Sequence, residues 1–227
     1  MAEVIVALDL PSGREALVLA ERIPGLSWVK VGSELFTAEG PALIRELRAR
    51  GLKVFLDLKW HDIPRTAAAA ASRARELGVD LATVHAFGGR EMLAATVAAA
   101  GRELPLVAIT VLTSLDVPAL AHLLGRGVSD SGTEVLRMAR LALDAGCAGV
   151  VASAHEVAAL RERFGKESLI VVPGIRRPGE APDDQARVAG PREAARAGAT
   201  HLVVGRPITT ASDPARAFEE LSELARW

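Results

Sequence analysis

The sequence predicts an α/β protein folded as a single (β/α)8 barrel of the TIM type. Short, nearly continuous apolar runs recur eight times along the 227 residues, and helical patterns lie between them. Such runs are typical of parallel strands that are covered on both faces. Eight strand-then-helix units in a chain of this length indicate a closed barrel, so we expect residues 1–227 to form one catalytic domain.

The eight predicted strands are mostly rich in Val, Ile and Leu and end in polar or small residues. They are Val4–Asp9, Trp28–Ser33, Lys53–Lys59, Leu81–His85, Leu106–Thr110, Gly149–Ser153, Leu169–Pro173 and His201–Gly205. The structural alternative is an open doubly wound sheet, which usually carries a glycine-rich turn after its first strand. This chain has Leu-Asp-Leu-Pro-Ser-Gly there, without a GxGxxG pattern, which favours the barrel.

Helix-boundary signals lie between these strands. Ser12, with Glu15 three residues later, has the spacing of a capping box for the segment Arg14–Arg22. Proline or glycine signals indicate three further helices, at Pro41–Arg50 before Gly51, from Pro64 to near Gly78, and from Asp213-Pro214 onwards. The longest irregular stretch, Arg176–Gly190, follows the seventh strand, and loops of that length in compact barrels are often functional.

The composition excludes several classes of partner. Lys and Arg total 27 against 28 for Asp and Glu, so the balance gives no reason to expect nucleic acid or an anionic membrane. No apolar run approaches the roughly 18 residues needed to span a bilayer. The N-terminal segment has the pattern of a first strand rather than a signal peptide, and we expect a cytoplasmic protein. The single cysteine, Cys147, lies in an apolar stretch and is expected to be a small buried hydrophobe rather than a reactive thiol.

Charged residues collect where strands two and three end, and this is the end that carries the chemistry in such barrels. Asp57 and Lys59 are two apart on one strand, so both side chains should point to the same face. Because buried charges are costly unless paired, we expect these two residues and Lys30 to pair across the barrel mouth. A structural ion pair would explain Asp57 and Lys59 alone, but Lys30 and the nearby Asp62 favour a catalytic group.

A second signal is the segment Val-Val-Gly-Arg-Pro after strand eight. Gly205 permits close approach of the backbone, a following helix N-terminus favours an anion, and Arg206 adds charge-assisted donors. Loops after strands seven and eight are the usual phosphate site of these barrels, and Arg176 lies in one of them. The alternative is a turn glycine followed by a solvated arginine. We favour a phosphate site.

The histidines allow no sharp assignment. His85 is either a site residue or a histidine that closes its strand, and His61, between Lys59 and Asp62, is better explained by a supporting role. The histidines and carboxylates show no HxH, HExxH or comparable spacing, so no metal site and no cofactor are expected.

Together these segments resemble the orotidine 5′-phosphate decarboxylase family. The segment DLKWHDIPRTA, Asp57–Ala67, is similar to the family signature, in which an Asp-x-Lys-x-x-Asp core is followed by Ile-Pro. Other segments agree in order along the whole chain: VALD, VKVG around Lys30, ITVLTS, VVPGIR around Arg176, DDQARV around Gln185, and VVGRPIT. The resemblance implies cofactor-independent decarboxylation of orotidine 5′-monophosphate to uridine 5′-monophosphate, the last step of de novo pyrimidine nucleotide synthesis.

The resemblance also implies a role for each matching residue. Asp9 and Lys30 would bind the ribose hydroxyls. Asp57 would lie against the substrate carboxylate, Lys59 would protonate C6 of the pyrimidine, and Asp62 would help to orient Lys59.

The remaining substrate-binding positions fall into three groups by their implied location. Those that reach into the partner subunit of a homodimer are Asp62, Ile63 and Thr66. The position near the pyrimidine is Thr113 or its neighbour Ser114. Those at the phosphate end or in the loop that closes over it are Pro173, Arg176, Gln185, Gly205 and Arg206.

Two other functions remain open from the sequence. The first is a Mg²⁺-dependent decarboxylase or aldolase of the same barrel superfamily that acts on a sugar phosphate. Those relatives share the Asp-x-Lys-x-x-Asp core but typically lack the Ile-Pro continuation found here. The second is a non-catalytic nucleotide-binding barrel, which would be marked by loss of Asp57 or Lys59, and both residues are present.

Overall fold

The computed structural model describes residues 2–176 and 189–226, which contain eight parallel strands closed into a barrel in sequence order. The strands, all parallel to their neighbours, are β1 Glu3–Ala7, β2 Trp28–Gly32, β3 Lys53–Trp60, β4 Leu81–His85, β5 Leu106–Ile109, β6 Gly149–Val151, β7 Leu169–Val172 and β8 His201–Val204. Strand β8 pairs with β1 from Glu3↔His201 to Val6↔Val204 and completes the ring. The predicted (β/α)8 barrel is confirmed.

Helices surround the strands. They are α1 Gly13–Glu21, α2 Ser33–Ala49, α3 Pro64–Glu76, α4 Gly89–Ala100, α5 Val117–Leu124, α6 Ser131–Asp144, α7 Val157–Phe164, α8 Pro191–Ala197, α9 Arg206–Thr209 and α10 Pro214–Leu224. Single 3-10 turns lie at Ala86–Gly88 and Ala154–Glu156. The connection from β5 to β6 carries two helices, α5 and α6, where the barrel repeat predicts one.

The predicted helix starts are confirmed at both ends of the chain. Ser12 caps α1, because its Oγ accepts a hydrogen bond from the backbone N–H of Glu15 at 3.3 Å. Asp213 caps α10 in the same way, through Arg216 N at 3.1 Å. Helix α2 is longer than expected: it begins at Ser33 and is interrupted at Gly40, whose φ of 62° is incompatible with a continuous helix. The predicted start at Pro41 is therefore the restart after this break.

Inside the barrel, apolar side chains at alternate strand positions fill the amino-terminal half. These buried residues are Ile5, Ala7, Trp28, Phe55, Leu81, Val107, Val171 and Val203. Trp28 contacts the ring of His201 edge-on at 5.4 Å, and the ammonium of Lys53 lies 5.2 Å from the centre of the Trp28 ring. These side chains pack together in the barrel interior, and a cavity opens toward the carboxyl ends of the strands.

A second apolar core joins the outer face of the barrel to the helices. Cys147 belongs to it and is 6% exposed, and burial raises the pKa of its thiol to about 12. The expectation of a small buried hydrophobe is confirmed. Strands β6 and β7 approach very closely at Gly149, where an added Cβ would lie 2.0 Å from the carbonyl oxygen of Leu169. In the described ranges, no helix combines the length and apolar character needed to cross a membrane.

Candidate active site

A cavity of about 440 Å³ opens at the carboxyl ends of the strands. Its apolar lining comes from strands on several sides of the barrel and includes Ala7, Phe55, Ile109, Val151, Val171 and Val203. Its polar lining is Asp9, Lys30, Asp57, Lys59, Thr113, Arg176, Arg206 and Thr209. A pocket with apolar walls and a few convergent charged groups is the usual form of a small-molecule site.

Four of the polar groups form a continuous chain of alternating charge. Lys30 Nζ donates to Asp9 Oδ1 at 2.8 Å and lies 3.6 Å from Asp57 Oδ2. Lys59 Nζ donates to the same Oδ2 of Asp57 at 2.9 Å. Asp57 and Lys30 are each only 8% exposed, so each of these buried charges needs the opposite charges beside it. The predicted pairing of Asp57, Lys59 and Lys30 across the mouth is confirmed.

Asp9 and Lys59, at the two ends of this row of alternating charges, remain accessible to solvent. The Lys59 side chain is 41% exposed and that of Asp9 is 58% exposed, although both are paired. The sequence contains four lysines among 27 Lys and Arg residues, and two of the four line this cavity. An ammonium is a compact charge that can give up a proton, whereas a guanidinium stays charged. The arrangement can therefore hold an anionic ligand beside a proton donor.

Strand β3 departs from regular geometry where these residues lie. Its register against β4 runs from Leu56↔Ala82 to Trp60↔Val84, so three residues of β3 lie opposite Thr83 alone. Lys59 has a φ of 51°, and among the described residues it is the one non-glycine with a positive φ. This left-handed conformation is uncommon outside glycine and is often found at functional sites. The Asp57–Lys59 contact thus arises in a bulge, and not through the strict alternation expected from the sequence.

Thr83 is a residue that the sequence analysis missed. Its hydroxyl accepts from the backbone N–H of Lys59 at 2.8 Å and donates to Asp57 Oδ1 at 3.1 Å. Thr83 is fully buried. Threonine within a strand pattern such as Leu-Ala-Thr-Val-His is ordinary β-structure composition, so no sequence signal singles it out.

The segment after β3 projects away from the cavity. Asp62, Ile63 and Thr66 are all exposed, Ile63 by 61%, and they are absent from the cavity lining of this chain. Asp62 Oδ1 accepts from the N–H of Ile63 at 2.6 Å, and within the described residues no ion pair joins Asp62 to Lys59. An orienting role of Asp62 toward Lys59 of the same chain therefore has no support from the geometry.

The opposite side of the mouth is formed by the ends of β7 and β8. Pro173, Arg176, Gly205 and Arg206 line the cavity, as the phosphate-site prediction requires, and so does Thr209, which the prediction did not include. Arg176 is 8% exposed, and its backbone N–H donates to Ala189 O at 3.1 Å. Gln185 and most of the stretch Arg176–Gly190 lie outside the described residues.

The predicted pyrimidine contacts come from the segment after β5. Thr113 lines the cavity beside Val111 and Leu112. Its neighbour Ser114 is exposed and is not part of the lining. Of the two candidates for this role, the structure thus brings Thr113 to the cavity.

The two histidines near β3 and β4 contact each other. The rings of His61 and His85 stack with centres 5.1 Å apart, and Nδ1 of His85 accepts from the N–H of Phe87 at 3.4 Å. Burial lowers the pKa of His85 to about 4, with the neighbouring His61 and Lys59 acting in the same direction. Neither histidine lines the cavity. His85 is therefore neutral near pH 7 and ends β4, which agrees with the alternative of a histidine that closes its strand.

The whole chain matches one family of barrel enzymes. The model of the "Orotidine 5′-phosphate decarboxylase / HUMPS family" matches residues 2–221. The chain belongs to the orotidine 5′-phosphate decarboxylase / HUMPS family. The resemblance of its sequence segments to that family is confirmed.

Curated relatives and solved structures agree with this membership. An orotidine 5′-phosphate decarboxylase of Halorhodospira halophila is 51% identical, over 94% of this chain and 91% of the relative. One from Nitrosococcus oceani is 46% identical, over 97% and 96% of the two chains. The crystal structure of the orotidine 5′-phosphate decarboxylase from Lactobacillus acidophilus is 36% identical, covers 100% of both chains and superposes with a TM-score of 0.88.

Over residues 2–176 and 189–226, no group of three or more His, Cys, Asp and Glu side chains is arranged to hold a metal ion. The acidic residues of the mouth, Asp9 and Asp57, are instead joined to lysines.

Proposed function

We propose that this family member decarboxylates orotidine 5′-monophosphate to uridine 5′-monophosphate without a metal or cofactor. The observation that carries the proposal is the Asp9–Lys30–Asp57–Lys59 chain of alternating charge, which lines a cavity large enough for a nucleotide. The close relatives bear the name of this activity. The reaction is the last step of de novo pyrimidine nucleotide synthesis, and we expect it to occur in the cytoplasm.

The chemistry requires a cation at the carbon that loses CO₂. Cleavage of the C6–carboxylate bond leaves its electron pair on C6, where the ring offers little resonance stabilisation. A fixed ammonium beside C6 stabilises this charge as it develops and then transfers a proton to it, which completes the product. Lys59 fits this role, because its Nζ is accessible in the cavity and is held at 2.9 Å by Asp57.

Asp57 and Lys30 have complementary parts in this scheme. Asp57 holds the ammonium of Lys59 in place at 2.9 Å, and when the substrate is bound its carboxylate would lie beside the substrate carboxylate. Repulsion between the two would be relieved as CO₂ leaves. Lys30 and Asp9, bonded to each other at 2.8 Å, present a donor and an acceptor to the ribose hydroxyls.

The phosphate end supplies binding energy at a distance from the reacting carbon. Arg206, Gly205 and Arg176 line the side of the mouth formed by the ends of β7 and β8. Gln185 lies between Arg176 and Gly190 in the sequence. Interactions with a non-reacting group can be used to position the reacting one and to exclude water. The proposal assigns Gln185, Gly205, Arg206 and Arg176, with Pro173 beside them, to the phosphate end. Of Thr113 and Ser114, it assigns Thr113 to the pyrimidine.

The proposal includes a homodimer with shared sites. Asp62, Ile63 and Thr66 are exposed on the segment that follows β3, and Ile63 is a large apolar residue that is 61% exposed. In a symmetric pair, the same segment of each chain can reach the cavity of the other. Asp62 would then contact Lys59 of the partner, although it does not pair with Lys59 of its own chain.

The decisive experiment follows the loss of orotate ultraviolet absorbance from orotidine 5′-monophosphate with EDTA present. Wild-type protein should turn over, and Lys59→Ala should lose nearly all turnover while it still binds uridine 5′-monophosphate. Lys166→Ala is the matched control, since Lys166 is an exposed lysine outside the cavity. Absence of turnover by folded wild-type protein, or turnover that EDTA abolishes, would overturn the proposal. The second result would point to a metal-dependent sugar-phosphate relative.

A further inference from the structure

The hydroxyl of Thr83 forms hydrogen bonds to both Lys59 and Asp57, the two residues whose relative position matters most for the proposed reaction. We propose that Thr83 is a positioning residue, which fixes the backbone of Lys59 and the carboxylate of Asp57 in a single arrangement. The inference rests on the proposed function and adds to it a residue that touches neither substrate nor solvent: Thr83 is fully buried and does not line the cavity.

The bulge in β3 makes such a support necessary. Asp57, Leu58 and Lys59 lie opposite Thr83 alone, so the regular ladder of backbone hydrogen bonds is broken there. The N–H of Lys59 donates to the Thr83 side chain at 2.8 Å. Since Lys59 has a φ of 51°, a conformation that a lysine adopts at a cost, a specific contact has to hold it there.

The direction of both hydrogen bonds follows from the chemistry of the groups. A backbone N–H can only donate, so Thr83 Oγ1 accepts from Lys59 and must direct its own hydrogen elsewhere. An ionised carboxylate can only accept, and Asp57 Oδ1 lies 3.1 Å away. The hydroxyl is thus used in both capacities, and hydrogen bonds arranged in such a chain strengthen one another.

The contact with Oδ1 also determines what Oδ2 can do. With Oδ1 held by Thr83, Oδ2 of Asp57 is directed at Lys59 Nζ, 2.9 Å away, and at Lys30 Nζ, 3.6 Å away. Loss of the hydroxyl would free the carboxylate to rotate and would leave the partly buried N–H of Lys59 without this partner. Both changes displace the ammonium of Lys59 from its position at the reacting carbon.

A series of substitutions at one position tests this role. Thr83→Val keeps the shape and removes the hydrogen bonds, Thr83→Cys keeps a weak donor and acceptor, and Thr83→Ser keeps the hydroxyl and loses a methyl group. We expect kcat to fall roughly 10- to 100-fold in Thr83→Val, the range found when an outer group that orients a metal ligand is lost. Thr83→Cys should be intermediate and Thr83→Ser close to wild type, while KM and the binding of uridine 5′-monophosphate change little.

A merely structural role predicts the opposite order. If the side chain only fills space, Thr83→Val should be the best replacement and Thr83→Ser the worst, in kcat and in thermal stability alike. That order, or an unchanged kcat in Thr83→Val, would overturn the proposal. If Thr83→Val does not fold, the comparison of Thr83→Ser with Thr83→Cys gives the same discrimination. Thr96→Val is the control, since Thr96 is also fully buried but its hydroxyl bonds to Met92 O within α4.

A measurement without substrate separates this inference from the proposed function. Amide hydrogen exchange of Lys59 should be slow in wild type and Thr83→Ser and faster in Thr83→Val. Equal exchange in all three would refute the positioning role even in an active enzyme. If the wild-type protein does not act on orotidine 5′-monophosphate but the exchange pattern is as expected, the proposed substrate is wrong and the Thr83 contact with Lys59 is still established.

Discussion

The half-buried ring of His85 should make the fold sensitive to acid. Its pKa is lowered from 6.5 to about 4, chiefly by burial. Between these two pH values the unfolded chain binds the proton and the folded one does not, so the stability contributed by neutral His85 is lost as the pH falls through this window. A protonated Nδ1 also can no longer accept the N–H of Phe87, and it places a second cation near Lys59.

The size of this effect follows from the same shift. A shift of this size corresponds to an upper bound of about 3 kcal/mol, and solvent screening of a half-buried ring reduces it to about 1–2 kcal/mol. Urea unfolding of wild type and His85→Asn at one protein concentration, from pH 7.5 to pH 4.5, measures the difference. Asn can still cap the following turn but does not titrate, so the advantage of wild type should shrink by that amount toward low pH.

Two results would refute this reasoning. The first is a stability difference between wild type and His85→Asn that stays constant over the pH range. The second is an NMR titration of the His85 ring with a midpoint near 6.5 rather than near 4. Either result would mean that the ring is hydrated in solution and that its burial does not disfavour the charged form.

Three further predictions address packing, the phosphate end and the shared site. Gly149→Ala should lower the free energy of unfolding in urea by about 3 kcal/mol, because its Cβ would lie 2.0 Å from the carbonyl oxygen of Leu169. The control is Gly127→Ala, whose Cβ would have no neighbour within 4 Å and which should change that free energy by less than about 0.5 kcal/mol. Arg206→Ala should lower kcat/KM for orotidine 5′-monophosphate roughly 10- to 100-fold, which is the effect of losing one charge-assisted hydrogen bond. Turnover of orotidine, which has no phosphate, should not change. An equal loss with both substrates would contradict the phosphate role. Asp62→Ala and Lys59→Ala, each inactive alone, can be mixed in equal amounts under conditions that exchange subunits. The mixture should regain about a quarter of the wild-type activity, because half of the dimers would then contain one intact site of two. No recovery would argue against a shared site.

The fold was predictable because each strand carries its own local signal. All eight strand centres were found, since strands covered on both faces need apolar runs. The differences are one or two residues at strand ends: β4 has none, β1 differs at both ends, and the other strands differ only at the carboxyl end. The failures have local causes too. The first part of α2, from Ser33 to Gly40, was missed because a glycine followed by a proline usually indicates a helix boundary. In the structure, Gly40 interrupts the helix without ending it. Helices α5 and α6 occupy a connection where the repeat predicts one helix.

The site was predictable in its residue types and less so in its geometry. The pairing of Asp57 with Lys59 and Lys30 follows from their positions at strand ends and from the cost of unpaired charge. The bulge at Lys59 does not follow, because nothing in the local sequence marks a lysine for a positive φ. Thr83 and the stacking of His61 on His85 were also out of reach, since they depend on how β3 lies against β4.

The packed floor of the barrel has a consequence for traffic through the site. Trp28, Phe55 and their apolar neighbours fill the amino-terminal half of the interior, so the cavity has its opening at the other end. In the proposed reaction, one substrate enters through this opening, and two products, CO₂ and uridine 5′-monophosphate, leave through it. A part of the protein that covers this opening during the chemical step would therefore also limit the rate at which both products are released.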